Sequence, residues 1–137
     1  MSSRAFPWVI VLLYGCLLAF IIPYHEPWRD ETDTWVAVGD LSIRELFSWF
    51  FRVLGHPALW SMILMPFARA GFPFETIYVV HAAVAIGMVA VFVRFSPFSS
   101  LTKMLWAFSM PIAYEYGVIA RDYSSTVLCL FIVAALY

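Results

Sequence analysis

Charged residues are scarce in this 137-residue chain, where Asp, Glu, Lys and Arg make up 12% of the sequence against about a quarter in a soluble domain. Eight basic residues face nine acidic ones, so no cationic surface for nucleic acid is expected. Cysteine is nearly absent. Cys16 and Cys129 both lie inside apolar runs, which predicts buried thiols rather than a disulfide framework or a metal site. Hydrophobic residues reach 64%, which excludes a disordered chain and most soluble folds. The sequence therefore predicts an all-α, polytopic membrane protein.

Motifs for several enzyme classes are also missing. The chain has no glycine-rich phosphate loop, no G-x-S-x-G, no H-E-x-x-H and no C-x-x-C. Nucleotide-using and zinc-hydrolase chemistry therefore have no support, and we predict no bound cofactor and no metal-ligating residues. The sequence leaves open whether catalysis requires a divalent metal.

Four apolar runs predict membrane-spanning helices, at about 7–22, 74–93, 103–119 and 122–137. The first is slightly short for a span, and a signal peptide is the alternative, although it lacks a small-x-small cleavage site. Pro111 is expected to kink or break the third run. The last run continues to the final residue, so we expect residues 1–137 to be a single transmembrane module from a truncated protein.

The apolar run Ala58 to Ala70 decides the topology. It holds about thirteen residues and contains Pro66, so as a helix it is too short to cross the hydrocarbon core. If it lies in the interface, Arg94 and Lys103 fall on the same side as the N-terminus. The acids of the 23–73 loop then lie opposite, which is the positive-inside pattern. This predicts an inner-membrane protein with a cytoplasmic N-terminus and an external 23–73 loop. A spanning 58–70 segment is the alternative.

The 23–73 loop predicts short helices at the membrane surface. Asp30 is expected to N-cap a helix from Glu31 to Val38 that stops at Gly39. Asp40 to Leu54 is typical of an amphipathic helix with a Ser42/Glu45 capping box. Its apolar stripe is predicted to comprise Ile43, Leu46, Phe47, Phe50 and Leu54.

Three polar clusters interrupt the apolar sequence, at 28–31, 55–60 and 115–123. The acids at 28–31 are either first-turn residues favoured by the helix dipole or a general base at the membrane surface. The 55–60 cluster is either a turn around a proline or the site of a histidine that donates to an anionic headgroup. The 115–123 cluster is either an interfacial aromatic belt with a snorkelling arginine or the site of an arginine that binds a lipid phosphate. His81 is predicted to be a buried, neutral histidine bonded to another helix.

Taken in order, the clusters resemble the N-terminal part of a GT-C glycosyltransferase, in the branch of protein O-mannosyltransferases and bacterial polyprenyl-phosphate-sugar transferases. The resemblance rests on the acidic pair in WRDETDTW after the first span. It continues with the H-P-x-L element in GHPALW at 55–60 and the A-R-x-Y element at 120–123. It covers nearly the whole chain but only the first part of such an enzyme.

This resemblance implies an inverting transfer of a sugar from a polyprenyl-phosphate donor to an acceptor on the external face. Asp30 would be the base and Glu31 would orient or polarise the site, while His56 and Arg121 would bind the departing phosphate. We also assign Tyr123 and Asp33 as candidate substrate-binding residues. Asp33 is a third acid near the pair, which leaves the identity of the base open.

Two other functions compete with this one. A non-catalytic membrane subunit would use the acidic loop to dock on a partner chain. A transporter fragment would place ionisable residues opposite one another near the midplane, where the sequence offers His81. The expected partners are membrane lipid, a polyprenyl-phosphate sugar, and either a partner membrane chain or the rest of the protein.

Overall fold

The computed structural model describes residues 5–55 and 57–137, and every regular element within them is helical. In chain order these elements are α1 (Phe6–Ile21), a 3₁₀ turn (Ile22–Tyr24), α2 (Arg29–Asp40), α3 (Ile43–Glu45), a π-helix (Leu46–Phe50), α4 (Phe51–Leu54), α5 (Ala58–Arg69), α6 (Thr76–Phe95), α7 (Ser100–Ala107), a second π-helix (Pro111–Glu115) and α8 (Tyr123–Leu136).

Two helical segments are long and apolar enough to cross a membrane. They are Phe6–Tyr24, which joins α1 to its 3₁₀ turn, and α6. They coincide closely with the first two predicted spans and fit association with a membrane. The two helices pack together, and an added Cβ on Gly15 of α1 would lie 3.4 Å from the Ile86 side chain of α6. His25 directly follows the 3₁₀ turn at the end of α1, and it contacts Tyr78 at the start of α6. Because the end of α1 lies beside the start of α6, the two helices run antiparallel.

The chain then returns along α6 in a broken segment. Near its beginning, Lys103 Nζ donates to the Val93 carbonyl at 2.9 Å. Near its end, the Tyr116 carbonyl lies 3.0 Å from Nε2 of His81. Helix α7 ends at Ala107 and a π-helix begins at Pro111, since proline cannot continue the α-helical hydrogen-bond ladder. The predicted run 103–119 is thus two helical pieces, broken where Pro111 indicated.

Helix α8 packs against α6. The Phe131 ring lies 5.3 Å from that of Phe92, and Leu128 is the nearest neighbour of a Cβ added to Gly87. At 14 residues α8 is shorter than a typical span. The inner core between these helices is apolar, formed by Ile10, Tyr14, Leu18, Ala85, Met88, Val89, Phe92, Val93, Ala107, Ile112 and Val118.

A second core joins the 23–73 loop to the start of α6. Helices α2 and α5 pack together, and the Arg69 guanidinium holds the end of α2 by donating to the Val38 and Leu41 carbonyls at 3.1 and 2.8 Å. Helix α2 therefore continues past Gly39, and the predicted stop there is wrong. At 12 residues with Pro66 inside, α5 is a short apolar helix, as its sequence predicted. This core contains Ala37, Val38, Leu46, Phe50, Trp60, Leu64, Met65, Ile77, Tyr78 and Ala120.

The amphipathic segment begins at Ile43 rather than Asp40, because Ser42 and Glu45 form the predicted capping box. Hydrogen bonds from Ser42 lower the pKa of the exposed Glu45 carboxyl. The π-helix that follows has wider hydrogen-bond spacing and shifts later residues around the helix. Leu46 and Phe50 are buried, whereas Ile43 and Phe47 are about half exposed. Two residues of the predicted apolar stripe thus pack into the protein, and two lie on its surface, where a helix at the membrane interface presents apolar side chains to lipid.

The two thiols are not buried. Cys16 on α1 and Cys129 on α8 are both exposed on the surface of the described chain. Each lies on an apolar helix, so the hydrophobic sequence around a cysteine indicated its helix but not the face it occupies.

Candidate functional site

The site begins where α2 starts, with Glu31 at its third residue. Glu31 is fully buried, and its Oε2 accepts the backbone N–H of Trp28 at 2.6 Å. Trp28, in an extended conformation, is the N-cap. Asp30 is therefore the second residue of the helix, and its predicted role as the N-cap is wrong. The reason is that the longer Glu31 side chain reaches back to the free N–H of the cap.

Glu31 connects this helix to two distant parts of the chain. Its Oε1 accepts the backbone N–H of Ala120 at 2.5 Å, and its Oε2 lies 3.5 Å from the Tyr78 hydroxyl. The Nε2 atom of His25 lies 3.1 and 3.3 Å from the two carboxylate oxygens. A buried carboxylate is tolerated only where donors replace its hydration. Both Glu31 oxygens meet this requirement, so Glu31 is suited to holding the site together.

Asp30 faces outward beside Arg121. An Arg121 terminal nitrogen lies 3.2 Å from Asp30 Oδ2, with 42% of the Asp30 side chain and 20% of the Arg121 side chain exposed. The Arg121 guanidinium carbon lies 4.8 Å from the centre of the Tyr123 ring, within cation–π distance. The structure thus brings together Asp30, Glu31, Arg121 and Tyr123.

A small pocket opens at this ion pair. Its walls come from α2, from the start of α5 and from the backbone before α8. The residues that line it are Asp30, Thr34, Phe50, Pro57, Trp60, Ser61, Ala120, Arg121 and Asp122. The pocket therefore offers a carboxylate and a guanidinium side by side next to an indole ring, at the same end of the two long helices as the α1–α2 connection.

Asp33 lies apart from this pocket. It pairs with Arg29 at 3.4 Å, and both side chains are largely exposed. It lines a different, mostly apolar groove with Asp40 and Trp49, whereas Asp30 lines the pocket beside Arg121. The structure therefore does not bring Asp33 together with the other predicted site residues.

His56 lies outside the described residues. Its neighbour Gly55 ends α4 in the left-handed conformation, with φ of 66°, which favours glycine. Pro57 is the N-cap of α5 rather than its first helical residue. One helix thus ends before Gly55 and the next begins after Pro57.

Two side chains of the site were missed by sequence reasoning. His25 precedes Glu31 by six positions, and Tyr78 lies in the apolar sequence of α6, where an aromatic residue is expected for packing alone. The third missed contact is the Ala120 amide, which belongs to the backbone and leaves no signal in the sequence. Only the tertiary fold brings these groups to one carboxylate.

His81 lies just beneath the site. It is buried, and its Nε2 pairs with the Tyr116 carbonyl, which agrees with the predicted bond to another segment. Trp60 packs edge-on against it, with ring centroids 5.4 Å apart. The carbonyl accepts only from a protonated nitrogen, so Nε2 is the donor.

No group of three or more His, Cys, Asp or Glu side chains among residues 5–55 and 57–137 is arranged to hold a metal ion. No family model, curated protein or solved structure matches the chain.

Proposed function

We propose that the chain forms the N-terminal module of a membrane glycosyltransferase of the GT-C type, which transfers a sugar from a polyprenyl-phosphate donor to an acceptor hydroxyl. The observation that carries this proposal is the 3.2 Å contact between Asp30 and Arg121. These residues come from two motifs of the resemblance that are far apart in the sequence, yet they meet in one pocket. A base beside a phosphate-binding cation is the pairing that such a transfer needs.

Each group then has one task in the reaction. Asp30 takes the proton from the acceptor hydroxyl as its oxygen attacks the anomeric carbon of the sugar. The bond from that carbon to the phosphate oxygen breaks, and the polyprenyl phosphate leaves with the electron pair. Arg121 stabilises the charge that develops on this phosphate. His56 is assigned to the same phosphate because it matches the H-P-x-L motif.

Asp30 is paired with Arg121 before the donor binds, so binding of the donor is also the step that makes the base available. Asp30 and Arg121 neutralise each other in the structure, and both are partly open to solvent. An entering phosphate competes with Asp30 for the guanidinium, since arginine binds phosphate through several N–H donors. Donor binding therefore frees the Asp30 carboxylate to accept a proton.

The proposal places the pocket on the external side of an inner membrane, with the N-terminus in the cytoplasm. Helix α1 crosses outward and α6 crosses back, and residues 100–122 return alongside α6 from Val93 to His81. This third passage is broken rather than a single helix, and α8 is the fourth. Arg94 and Lys103 then lie on the cytoplasmic side, as the positive-inside pattern requires.

A transporter has less support, because the hydrogen bond of His81 goes to the Tyr116 backbone carbonyl, whereas a transporter would use paired ionisable side chains near the midplane. A non-catalytic subunit predicts that the charge of Asp30 is dispensable. The following experiment separates this possibility from catalysis.

Asp30→Asn is expected to reduce sugar transfer by about 100-fold or more, because it removes the general base while keeping the size of the side chain. The measurement is transfer of tritiated mannose from polyprenyl-phosphate mannose to acceptors in membrane vesicles that contain the protein at matched levels. Other polyprenyl-phosphate sugars follow if mannose is not transferred by the native protein.

Asp40→Asn is the matched control, because it removes the same charge from an exposed residue at the other end of α2. It should retain transfer. Full transfer by Asp30→Asn would overturn the role of Asp30 and, together with loss in Asp33→Asn, would move the base to Asp33. Absence of transfer from every donor by the native protein would favour the non-catalytic subunit.

A further inference from the structure

His25 lies buried directly behind the pocket. Only 1% of its side chain is exposed, although it sits in the connection between α1 and α2, where polar residues usually face solvent. Tyr78 and Tyr114 pack against it edge-on, with ring centroids at 5.5 and 6.4 Å. The imidazole is thus held in one place by α6 and by the second π-helix.

The Nε2 atom of His25 points at the Glu31 carboxylate, at 3.1 and 3.3 Å from its two oxygens. An ionised carboxylate only accepts hydrogen bonds, so Nε2 carries the proton in this contact. His25 therefore supplies a side-chain donor to a carboxylate that is otherwise bonded by two backbone amides and by the more distant Tyr78 hydroxyl.

Glu31 is linked through the backbone to both Asp30 and Arg121. Asp30 precedes Glu31 directly, and Arg121 follows Ala120, whose N–H donates to Glu31 at 2.5 Å. The bond between Glu31 and Ala120 therefore fixes how far the Asp30 backbone lies from that of Arg121. Rotation of the Glu31 carboxylate would weaken its bond to the Ala120 N–H, which is the contact that ties the backbone next to Arg121 to α2.

We propose that His25 is a positioning residue, which orients Glu31 so that Glu31 holds Ala120 and keeps Arg121 beside Asp30. Its effect on sugar transfer rests on the proposed function, but its effect on Ala120 does not. Two substitutions separate the hydrogen bond from the ring. His25→Phe keeps an aromatic ring between Tyr78 and Tyr114 but has no donor. In His25→Gln the amide nitrogen can stand where Nε2 lies and donate to the carboxylate.

The first measurement is hydrogen exchange at the Ala120 amide, followed by NMR of ¹⁵N-alanine-labelled protein in detergent micelles. His25→Phe is expected to speed this exchange about tenfold or more, the scale of one hydrogen bond to a charged group. His25→Gln is expected to restore protection. The amide of Ala85, buried in the middle of α6, should exchange at the native rate in both variants, which reports that the fold is intact.

The second measurement is the kinetics of transfer from polyprenyl-phosphate mannose in membrane vesicles. We expect His25→Phe to lower kcat by about tenfold or more, because a small displacement of catalytic groups is costly. KM for the donor should change less than kcat, since Arg121 is assigned to the charge that develops on the phosphate in the transition state rather than to the resting donor alone. His25→Gln should recover kcat. A purely structural role would instead lower the amount of folded enzyme without this rescue.

Unchanged Ala120 exchange in His25→Phe would overturn the proposal, whatever the activity. So would a His25→Gln variant as unprotected as His25→Phe, because the ring and not the bond would then matter. If Ala85 also exchanges faster in His25→Phe, the protection of Ala120 in His25→Gln decides the question. Should the native protein transfer no sugar, the proposed function fails while the exchange result still judges the positioning role.

Discussion

At the scale of single residues, Asp30 and Glu31 are neighbours in sequence with opposite surroundings. Glu31 is fully buried and accepts hydrogen bonds from two backbone amides. Asp30 is partly exposed and pairs with one arginine side chain. A partly exposed ion pair contributes little to stability, whereas removing a buried acceptor leaves its donors without partners. The two acids should therefore respond very differently to mutation.

Glu31→Ala is expected to lower the free energy of unfolding by about 3 kcal/mol, because it strands the Trp28 and Ala120 amides and the His25 side chain. Glu31→Gln keeps one acceptor oxygen and should fall between Glu31→Ala and the native protein. The measurement is unfolding in detergent micelles. Glu26→Ala, an exposed residue in the same loop, should change stability by no more than about 0.5 kcal/mol. Equal stability of Glu31→Ala and the native protein would contradict the network described here.

The sequence predicts some residues of the site and not others. Asp30 and Arg121 are selected because each belongs to a motif that follows an apolar run and resembles a motif of GT-C glycosyltransferases. His25 was not selected, since a single histidine in a polar loop has no distinctive neighbours. Asp33 is selected by its proximity in sequence, but it pairs with Arg29 and lines a separate groove.

At the scale of elements, the broken return segment controls where Arg121 lies. Tyr14 in α1 donates its hydroxyl to the Ile112 carbonyl at 2.7 Å, which satisfies a backbone group that the π-helix leaves available. Gly117 follows at the point of closest approach to α1. A Cβ there would lie 2.6 Å from the Ala113 carbonyl oxygen and 2.7 Å from both Leu18 and the Tyr14 hydroxyl. The segment can lie this close to α1 only if residue 117 has no side chain.

Gly117→Ala should therefore destabilise the protein by about 1–3 kcal/mol, the usual cost of overpacking, and should reduce sugar transfer by displacing Arg121. Gly87→Ala is the matched control. Its added methyl group would meet only Leu128, at an ordinary contact distance of 3.8 Å, and alanine is the better helix former. Thermal unfolding of both variants in the same detergent tests this. The prediction fails if the two variants melt together.

The element boundaries were predictable where a single local rule decides them. Long apolar runs located α1 and α6, and the Ser42/Glu45 spacing located the start of α3. The π-helix at Leu46–Phe50 was not predicted, because α-helical periodicity was assumed for the whole amphipathic segment. The burial of Leu46 and Phe50 against α2 and α5 comes from tertiary packing, which a single segment of sequence does not encode.

At the scale of the whole molecule, the antiparallel arrangement of α1, α6 and residues 100–122 predicts which residues share a side of the membrane. The α1–α2 connection and Ala120 meet at the start of α6, while Lys103 lies near its end. The distribution of charge predicts that Lys103 lies on the opposite side of the membrane from the 23–73 loop. The broken third passage depends on contacts with α1 and α6 that the distribution of charge does not specify.

Cysteine labelling tests this arrangement in membranes. In a background that lacks Cys16 and Cys129, we expect Arg29→Cys and Glu115→Cys to react with a membrane-impermeant maleimide in intact cells. Ser100→Cys should react only after permeabilisation, because the proposed topology puts residues 94–103 on the cytoplasmic side. All three native residues are exposed. Labelling of positions 100 and 115 from the same side would contradict the third passage.

The bond between Glu31 and Ala120 joins residues 89 positions apart, and this separation has a consequence for biosynthesis. Ribosomes add about 5–20 residues per second, so Glu31 waits roughly 5 to 20 s before its amide partner is even synthesised. During that interval α2 has its N-cap bond to Trp28 but no anchor to the segment that carries Arg121. The pocket is therefore completed late, after the returning segment has been translated, and a nascent chain that lacks this segment has no Arg121 to pair with Asp30.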